Sequence, residues 1–322
     1  MVKISPETNP KVLITGITGM VGSYFQLMYK DRGYEVYGIA RNSASSRMEA
    51  IPDRNIFRCD ITDRDALGGV FDKVRPELVI HMAAQAFNGL SWECEESTHH
   101  TNYKGTLNVL KCALRNGEST KVLLACSSAE YGDFDISECP LKENRSLRPL
   151  TPYGVSKVAT EMLGLQYHLN FGLPVYFPRM FIHVGTGHPP ATAIQNFARQ
   201  LALISKGRLE PVVRVGNLET ARDFIDVRDG VEAMNLLIEK DIRGVPVNIC
   251  TGKAHKIADI LQMLIQIAGI KVDVIEDKTL LRVSDEPLLL GDNSLIKSYG
   301  FKQKYQMQET LENVYHDWLQ RI

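Results

Sequence analysis

The chain has 322 residues, a length that predicts about two domains or one large α/β unit with an attached lobe. Hydrophobic residues make up 44% of it and charged residues 23%, near globular averages, which excludes an intrinsically disordered chain. The net charge of −1 and the lack of a long apolar run exclude a broad nucleic-acid-binding surface and a membrane span, so we expect a cytoplasmic protein with neither partner.

The first half of the chain alternates short apolar runs with helical patterns. Predicted strands are Lys11–Thr15, Glu35–Ala40, Asn55–Cys59, Leu78–Met82, Lys121–Cys126 and Leu173–Phe177. Predicted helices run from Gly22 to about Arg32, near Asp63–Val74, over about Asn102–Asn116, and from Pro152 to about Phe171. This alternation predicts an α/β fold, a Rossmann-type doubly wound parallel sheet.

The second half is less regular and predicts a smaller lobe interleaved with the edge of the sheet. Its predicted elements are helices over Ala193–Lys206, Arg228–Lys240 and Ile257–Ala268, and a strand over Pro246–Cys250. The predicted dinucleotide-binding domain covers 1–178 and about 224–250. The lobe covers 179–223 and about 251–322.

A glycine-rich turn follows the first predicted strand and opens a helix. Gly16, Gly19 and Gly22 form a G-x-x-G-x-x-G pattern, which allows a tight turn, close approach of backbone to a pyrophosphate, and close helix–strand packing. A purely structural turn would also explain such a cluster, but its position favours dinucleotide binding. We expect these glycines, with Met20 and Val21 between them, to bind the cofactor.

The end of the second predicted strand bears on which dinucleotide binds. An NAD enzyme usually has a carboxylate there for the adenosine ribose, whereas this chain has Arg41, which could pair with a 2′-phosphate. We therefore hypothesise that NADP(H) is favoured over NAD(H). Other residues that could bind the 2′-phosphate are Ser43, Ser45 and Arg47.

A tyrosine and a lysine open the long predicted helix. Tyr153 and Lys157 are an i, i+4 pair, so both side chains lie on one helix face. A cation beside a phenol lowers its pKa, which would help a tyrosine to move protons. Ser127 follows the fifth predicted strand, at the sheet edge where ligands bind. A Y-x-x-x-K pair is often only a surface pair, but together with Ser127 it predicts a catalytic site.

These features resemble the extended branch of the short-chain dehydrogenase/reductases. Further segments resemble one family within it, the GDP-mannose 4,6-dehydratase and GDP-6-deoxy-4-keto-D-mannose reductase family. They are RPLTPYGVSK at 148–157, VGNLE at 215–219, RDFIDVRD at 222–229, and Leu281-Arg282 leading to GDNS at 291–294. The resemblance implies that Tyr153 moves the proton at the sugar oxygen, Lys157 also holds the nicotinamide ribose, and Ser127 orients the reacting oxygen.

The resemblance also implies further contacts and an assembly. Asp60 and Ile61 would contact the adenine, although Asp60 could instead cap a helix. Nucleotide-sugar contacts would come from Asn217, Arg222 and Arg282, although Arg222-Asp223 and Arg228-Asp229 could be surface ion pairs. We also expect Ala83 and Ala84 at the cofactor, and Ser128 and Arg179 at the substrate. A homodimer would form through the helices near Thr101–Asn116 and Thr151–Asn170.

The choice between reductase and dehydratase depends on one position. The family's dehydratases carry an acid–base carboxylate two residues after the catalytic hydroxyl, and here that residue is Ala129. Glu130 is adjacent, but neighbouring residues leaving a strand point to different sides. We therefore expect NAD(P)-dependent redox chemistry at C4 of a nucleotide-linked, GDP-type sugar, reductase-like. The alternatives are a 4,6-dehydratase, a C4 epimerase, a 4-dehydrogenase and, least favoured, a non-catalytic sensor.

One departure from the family concerns the sugar. An asparagine that contacts substrate in relatives is replaced by Ile182, whose apolar side chain cannot make the same hydrogen bonds. His183 and His188 lie close together in a loop rich in glycine and proline, which gives no fixed ligand geometry. We expect no metal.

Overall fold

The computed structural model describes residues 9–41, 53–281 and 286–322. The strands are β1 (Lys11–Thr15), β2 (Glu35–Ala40), β3 (Ile56–Arg58), β4 (Leu78–His81), β5 (Lys121–Leu124), β6 (Cys126–Ser127), β7 (Val175–Met180), β8 (Ile182–Val184), β9 (Val212–Val215), β10 (Ala221–Asp226), β11 (Pro246–Ile249), β12 (Ala254–Lys256), β13 (Asp273–Glu276) and β14 (Leu288–Leu289). The α-helices are α1 (Met20–Asp31), α2 (Arg64–Val74), α3 (Asn88–Ser91), α4 (Glu95–His99), α5 (Gly105–Asn116), α6 (Pro152–Phe171), α7 (Ala193–Ser205), α8 (Val227–Glu239), α9 (Ile257–Ala268), α10 (Ser294–Ser298) and α11 (Met307–Arg321). Among the described helices, none combines the length and apolarity needed to cross a membrane.

The predicted doubly wound parallel sheet is confirmed. Its strand order is β11-β7-β5-β4-β1-β2-β3, with β6 paired beside β7, and these pairings are parallel. The chain runs outward from β1 to β3 and then crosses back to β4 on the other side of β1. This reversal opens a crevice at the carboxyl ends of β1 and β4, where doubly wound folds bind their ligands.

Side chains of the central strands alternate between two hydrophobic layers. Val12 and Ile14 of β1 pack into a layer with Phe25 of α1 and Met234 of α8. Leu13, between them, faces the opposite layer, which α2, α5 and α6 cover. Because both faces are covered, β1 has the continuous apolar sequence expected of a buried parallel strand.

The second half of the chain adds a separate core and several short strands that the sequence did not predict. Helices α7, α9 and α11 pack together through residues such as Phe197, Leu264 and Trp318. β10 pairs with β12, β14 and β8, and β13 pairs with β9. β11 lies at the edge of the main sheet, and α8 packs with α1 in the same hydrophobic layer. The domain limits given above stay a prediction.

Two of the predicted elements that differ from the observed ones do so for local reasons. The predicted helix over Asn102–Asn116 is α5 preceded by a π-helical turn, His100–Lys104. The predicted strand over Leu173–Phe177 lies at Val175–Met180 instead. It continues to Met180 because Arg179 and Met180 pair with β11 on one side and with β6 on the other.

The packing of α6 on the sheet gives a stability prediction. A Cβ atom at Gly164 would lie 2.5 Å from Cδ1 of Leu124 and 2.6 Å from Cε1 of Phe177. We expect Gly164→Ala to lower the free energy of unfolding by about 1–3 kcal/mol through overpacking, seen as a lower urea midpoint by circular dichroism.

Gly69 of α2 provides the matched control. It is exposed, and a Cβ atom there would meet nothing within 4 Å. Gly69→Ala should therefore stabilise the protein by roughly 0.5–1 kcal/mol through helix propensity. Equal urea midpoints for the two variants would contradict the packing described here.

Candidate functional site

The turn after β1 has the shape needed for a dinucleotide phosphate. Gly16 has a φ of +71°, and a Cβ atom there would lie 2.7 Å from the backbone nitrogen of Ala83. A Cβ atom at Gly22 would lie 2.3 Å from the carbonyl oxygen of Gly16. Within the described residues, no side chain caps the N-terminus of α1 at Gly19. Its first N–H groups and the helix dipole fit a pyrophosphate, so these residues fit the predicted nicotinamide dinucleotide.

Asp60 and Ile61 follow β3 at the same edge of the sheet. Oδ1 of Asp60 accepts hydrogen bonds from the backbone N–H of Thr62 at 2.9 Å and from its hydroxyl at 2.8 Å. These bonds, together with the charge of Arg41, lower the pKa of Asp60 despite partial burial. Helix α2 is capped by Asp63, so Asp60 is not its cap. The Ile61 side chain is buried in the core.

The end of β4 contributes a buried histidine and two alanines. His81 shares a 2.7 Å hydrogen bond with the hydroxyl of Thr15 and a second one with a threonine hydroxyl of α5. Burial lowers the pKa of His81 to about 3, so the ring is neutral. The backbone N–H of Ala83 donates to Thr15, and Ala83 and Ala84 are half-buried. His81 therefore orders the strand ends rather than exchanging protons at neutral pH.

The structure brings Ser127, Tyr153 and Lys157 together. Ser127 ends β6, and Tyr153 lies in the first turn of α6. A Cβ atom at Gly154 would lie 2.5 Å from the carbonyl oxygen of Ala129, so this helix start packs directly on the turn after Ser127. Nζ of Lys157 lies 5.8 Å from the centroid of the Tyr153 ring.

The proton affinity of Tyr153 differs from the expectation drawn from its lysine neighbour. Burial raises the pKa of Tyr153 to about 12, and a hydrogen bond with Ser127 opposes this. Burial also lowers the pKa of Lys157, whose amine donates to the carbonyl of Ala125 at 2.7 Å. Desolvation of the phenol is the largest effect on its pKa, so Tyr153 is a protonated phenol at neutral pH.

The sequence did not single out the residue that supports the start of α6. Asn102 lies in the π-helical turn and donates to the hydroxyl of Ser156 at 2.8 Å and to the carbonyl of Gln85 at 3.0 Å. The Ser156 hydroxyl in turn donates to the carbonyl of Tyr153. The π register that aims Asn102 this way has no sequence signature.

Arg179 does not lie where a substrate contact would be expected. It is 3% exposed, and its guanidinium donates to both oxygens of Glu161, at 2.9 and 2.6 Å. Its remaining nitrogen donates to the Tyr131 hydroxyl and to the carbonyl of Glu143. These contacts give Arg179 a role inside the fold, and its contact with substrate stays a prediction. The sequence offered one sign of this pairing: Glu161 follows Lys157 by four residues and so lies on the same face of α6, toward the sheet.

The remaining predicted substrate contacts occupy different environments. Asn217 is exposed, and its side-chain oxygen accepts the N–H of Glu219. Arg222 is largely buried in β10 and donates to two carbonyl oxygens, one of them that of Glu286. Ser128 is buried in the turn after Ser127. Predicted site residues outside the described ranges are Ser43, Ser45, Arg47 and Arg282.

Comparison with known proteins gives one family and two kinds of relative. The sequence model of the GDP-mannose 4,6-dehydratase family matches residues 13–314. The chain is 28% identical over 313 residues to GDP-6-deoxy-D-mannose reductase of Pseudomonas aeruginosa, covering 97% of this chain and 98% of that protein. It is 30% identical over 266 residues to human GDP-mannose 4,6 dehydratase, covering 78% and 70%.

Solved structures give the same picture. RMD from Pseudomonas aeruginosa complexed with NADPH superposes with a TM-score of 0.86 and 27% identity, covering 98% of this chain and 100% of that one. UDP-glucose 4-epimerase of Thermus thermophilus in complex with NAD superposes with a TM-score of 0.85 and 26% identity, covering 96% and 98%.

Proposed function

The chain belongs to the GDP-mannose 4,6-dehydratase family, and we propose that within it the enzyme reduces a keto group at C4 of a GDP-linked sugar. It is a nucleotide-sugar oxidoreductase of the extended short-chain dehydrogenase/reductase type. The observation that carries the choice of reduction is the alanine at position 129. The match to the reductase of Pseudomonas aeruginosa over almost the whole chain supports it.

The site residues suit the delivery of a proton to a sugar oxygen. A bound reduced nicotinamide would supply hydride to C4. Tyr153, protonated at neutral pH because burial raises its pKa to about 12, donates its proton to the oxygen that gains charge, and regains one from solvent. Ser127, hydrogen-bonded to Tyr153, orients that oxygen, and Lys157 supplies a nearby positive charge for the phenolate that forms.

The turn after Ser127 offers no base for the elimination of water. Removal of a proton from C5 and protonation of the leaving hydroxyl at C6 need a carboxyl group facing the sugar. Ala129 cannot exchange protons, and Glu130 is fully buried with its carboxyl toward the backbone of Ser127 and toward Arg179. This arrangement supports reduction without dehydration.

Epimerisation at C4 is the second candidate. It uses the same serine, tyrosine and lysine chemistry, and the structural similarity to a UDP-glucose 4-epimerase favours it. Ile182, in β8, stands where relatives carry a substrate-contacting asparagine, so the contacts to the sugar differ from theirs. Release of oxidised cofactor during turnover would separate a reductase from an epimerase, which keeps its cofactor bound.

The reaction can be tested with two substrates. We expect oxidation of NADPH with GDP-4-keto-6-deoxymannose and no loss of water from GDP-mannose incubated with NADP, as followed by absorbance and mass spectrometry. Tyr153→Phe should lower turnover by about 100-fold or more because the proton donor is lost, while NADPH binding persists.

Tyr103→Phe is the control for the loss of a hydroxyl, because Tyr103 is an exposed tyrosine outside the site. It should leave turnover unchanged. Dehydration of GDP-mannose by the wild-type enzyme would overturn the proposal.

We propose NADP(H) as the preferred cofactor. Arg41 is the residue that follows β2, and its side chain is exposed. Its charge helps to lower the pKa of Asp60, so the guanidinium lies near the cofactor-binding edge and can pair with a 2′-phosphate. Arg41→Ala should weaken NADPH binding about tenfold, as expected for a lost charged hydrogen bond, and leave NADH binding nearly unchanged, as measured by fluorescence titration. Arg32→Ala, at the far end of α1, is the control, and tighter binding of NADH by the wild type would contradict the preference.

We also propose that two copies associate through α6. Val155, Met162 and Leu169 follow one another at seven-residue intervals and are exposed, which forms an apolar stripe along one face of the helix. Met162→Asp should convert a dimer to a monomer in sedimentation velocity. Leu27→Asp, an equally exposed position on α1, should leave the dimer intact, and a monomeric wild type would refute the assembly.

A further inference from the structure

A carboxyl group lies buried directly behind the predicted catalytic serine. Glu130 is fully buried, and its Oε1 accepts the backbone N–H of Ser127 at 2.7 Å. Its Oε2 is also buried and accepts no hydrogen bond among the described residues. Burial of a charged carboxylate with one bare oxygen is costly, so this environment favours a neutral group.

The positive charge nearest to Glu130, that of Arg179, is already paired with another carboxylate, Glu161. The guanidinium of Arg179, in β7, donates hydrogen bonds to both oxygens of Glu161, in α6. By contrast, its Nε lies 3.6 Å from Oε2 of Glu130. The nearest ligand atoms of Glu130, Glu161 and Cys126 lie within 4.8 Å of one another. The guanidinium fork of Arg179 pairs with the Glu161 carboxylate, and a second carboxylate so close to it would be repelled.

The other polar groups near Glu130 in the described part of the chain do not supply a cation or a hydrogen-bond donor to its carboxyl group. Lys157 of α6 donates to the carbonyl of Ala125, and no ion pair joins it to Glu130 within the described residues. The Tyr131 hydroxyl donates to Asn248. Burial raises the pKa of Cys126 well above its usual value, so that thiol is neutral.

We propose that Glu130 is a positioning residue that works as a neutral carboxylic acid, holding the Ser127 backbone while keeping negative charge away from Tyr153 and Lys157. This inference rests on the proposed reduction. Burial, repulsion by Glu161 and a side-chain hydrogen bond with Glu161 raise the pKa of Glu130 well above its usual range, in line with the geometry. An ionised Glu130 would raise the pKa of Tyr153 and of Lys157, which would make proton donation by Tyr153 less favourable.

Variants that separate charge from hydrogen bonding test the kinetic part. Glu130→Gln is neutral and keeps an acceptor for the Ser127 N–H, so kcat at pH 7 should stay within about threefold of wild type. Glu130→Ala leaves that buried N–H without a partner and should lower kcat by about tenfold or more, with less change in KM. If Glu130→Gln folds, binds NADPH and loses as much activity as Glu130→Ala, the neutral-acid role is wrong.

Glu161→Gln supplies a readout that a purely structural role would not give. Without the charge of Glu161, Arg179 is left for Glu130, which should ionise. The apparent pKa assigned to Tyr153 in the pH profile of kcat should then rise by roughly one unit, and Glu130→Gln added to Glu161→Gln should reverse the shift. A shift that the second substitution leaves in place would contradict the proposal.

Infrared difference spectroscopy tests the protonation state without any substrate. At pH 7 the wild type should show a carbonyl band of a protonated carboxylic acid that Glu130→Gln lacks and that Glu161→Gln loses. Identical spectra for wild type and Glu130→Gln would overturn the proposal. If the wild type fails to oxidise NADPH with the keto sugar, the proposed function fails, but the infrared comparison still decides the state of Glu130.

Discussion

The buried ion pair between Arg179 and Glu161 connects the parts of the structure on which the site depends. Arg179 belongs to β7 and Glu161 to α6, and the same guanidinium reaches Tyr131 and Glu143 in the loop after β6. Removal of one partner from a buried pair leaves an uncompensated charge, which typically costs about 3–5 kcal/mol. The pair therefore fixes α6 on the sheet, and with it the distance between Tyr153 and Ser127.

Close backbone contacts complete this positioning. The first turn of α6 can approach the turn after Ser127 only because Gly154 has no side chain to meet the Ala129 carbonyl. At the other side of the crevice, Gly22 allows α1 to lie against the turn at Gly16 in the same way. The two contacts place the starts of α1 and α6, with the glycine turn and Tyr153, on the same edge of one sheet.

The proposed chemistry follows from the burial of the Tyr153 phenol and from the alanine at position 129. Tyr153 is protonated because its phenol is desolvated, and Ala129 provides no acid–base group beside it. In the proposed reaction, a protonated Tyr153 with no carboxyl group at position 129 suits hydride transfer to a ketone better than removal of water from a neighbouring carbon. Glu130, the carboxyl nearest in sequence, lies in the core, where its Oε1 accepts the backbone N–H of Ser127.

The sequence alone determined the Rossmann sheet, the glycine turn and the pairing of Tyr153 with Lys157, because each is a local pattern of apolar period or i, i+4 spacing. It did not determine the short strands around β10, whose partners β8, β12 and β14 lie on either side in the chain. Nor could it place Arg179, which meets Glu161 across 18 residues of chain and a helix–sheet interface. Only the tertiary structure decided that this arginine is buried, that Glu130 points inward, and that burial raises the pKa of Tyr153, because desolvation depends on every element packed around a group and not on its neighbours in sequence.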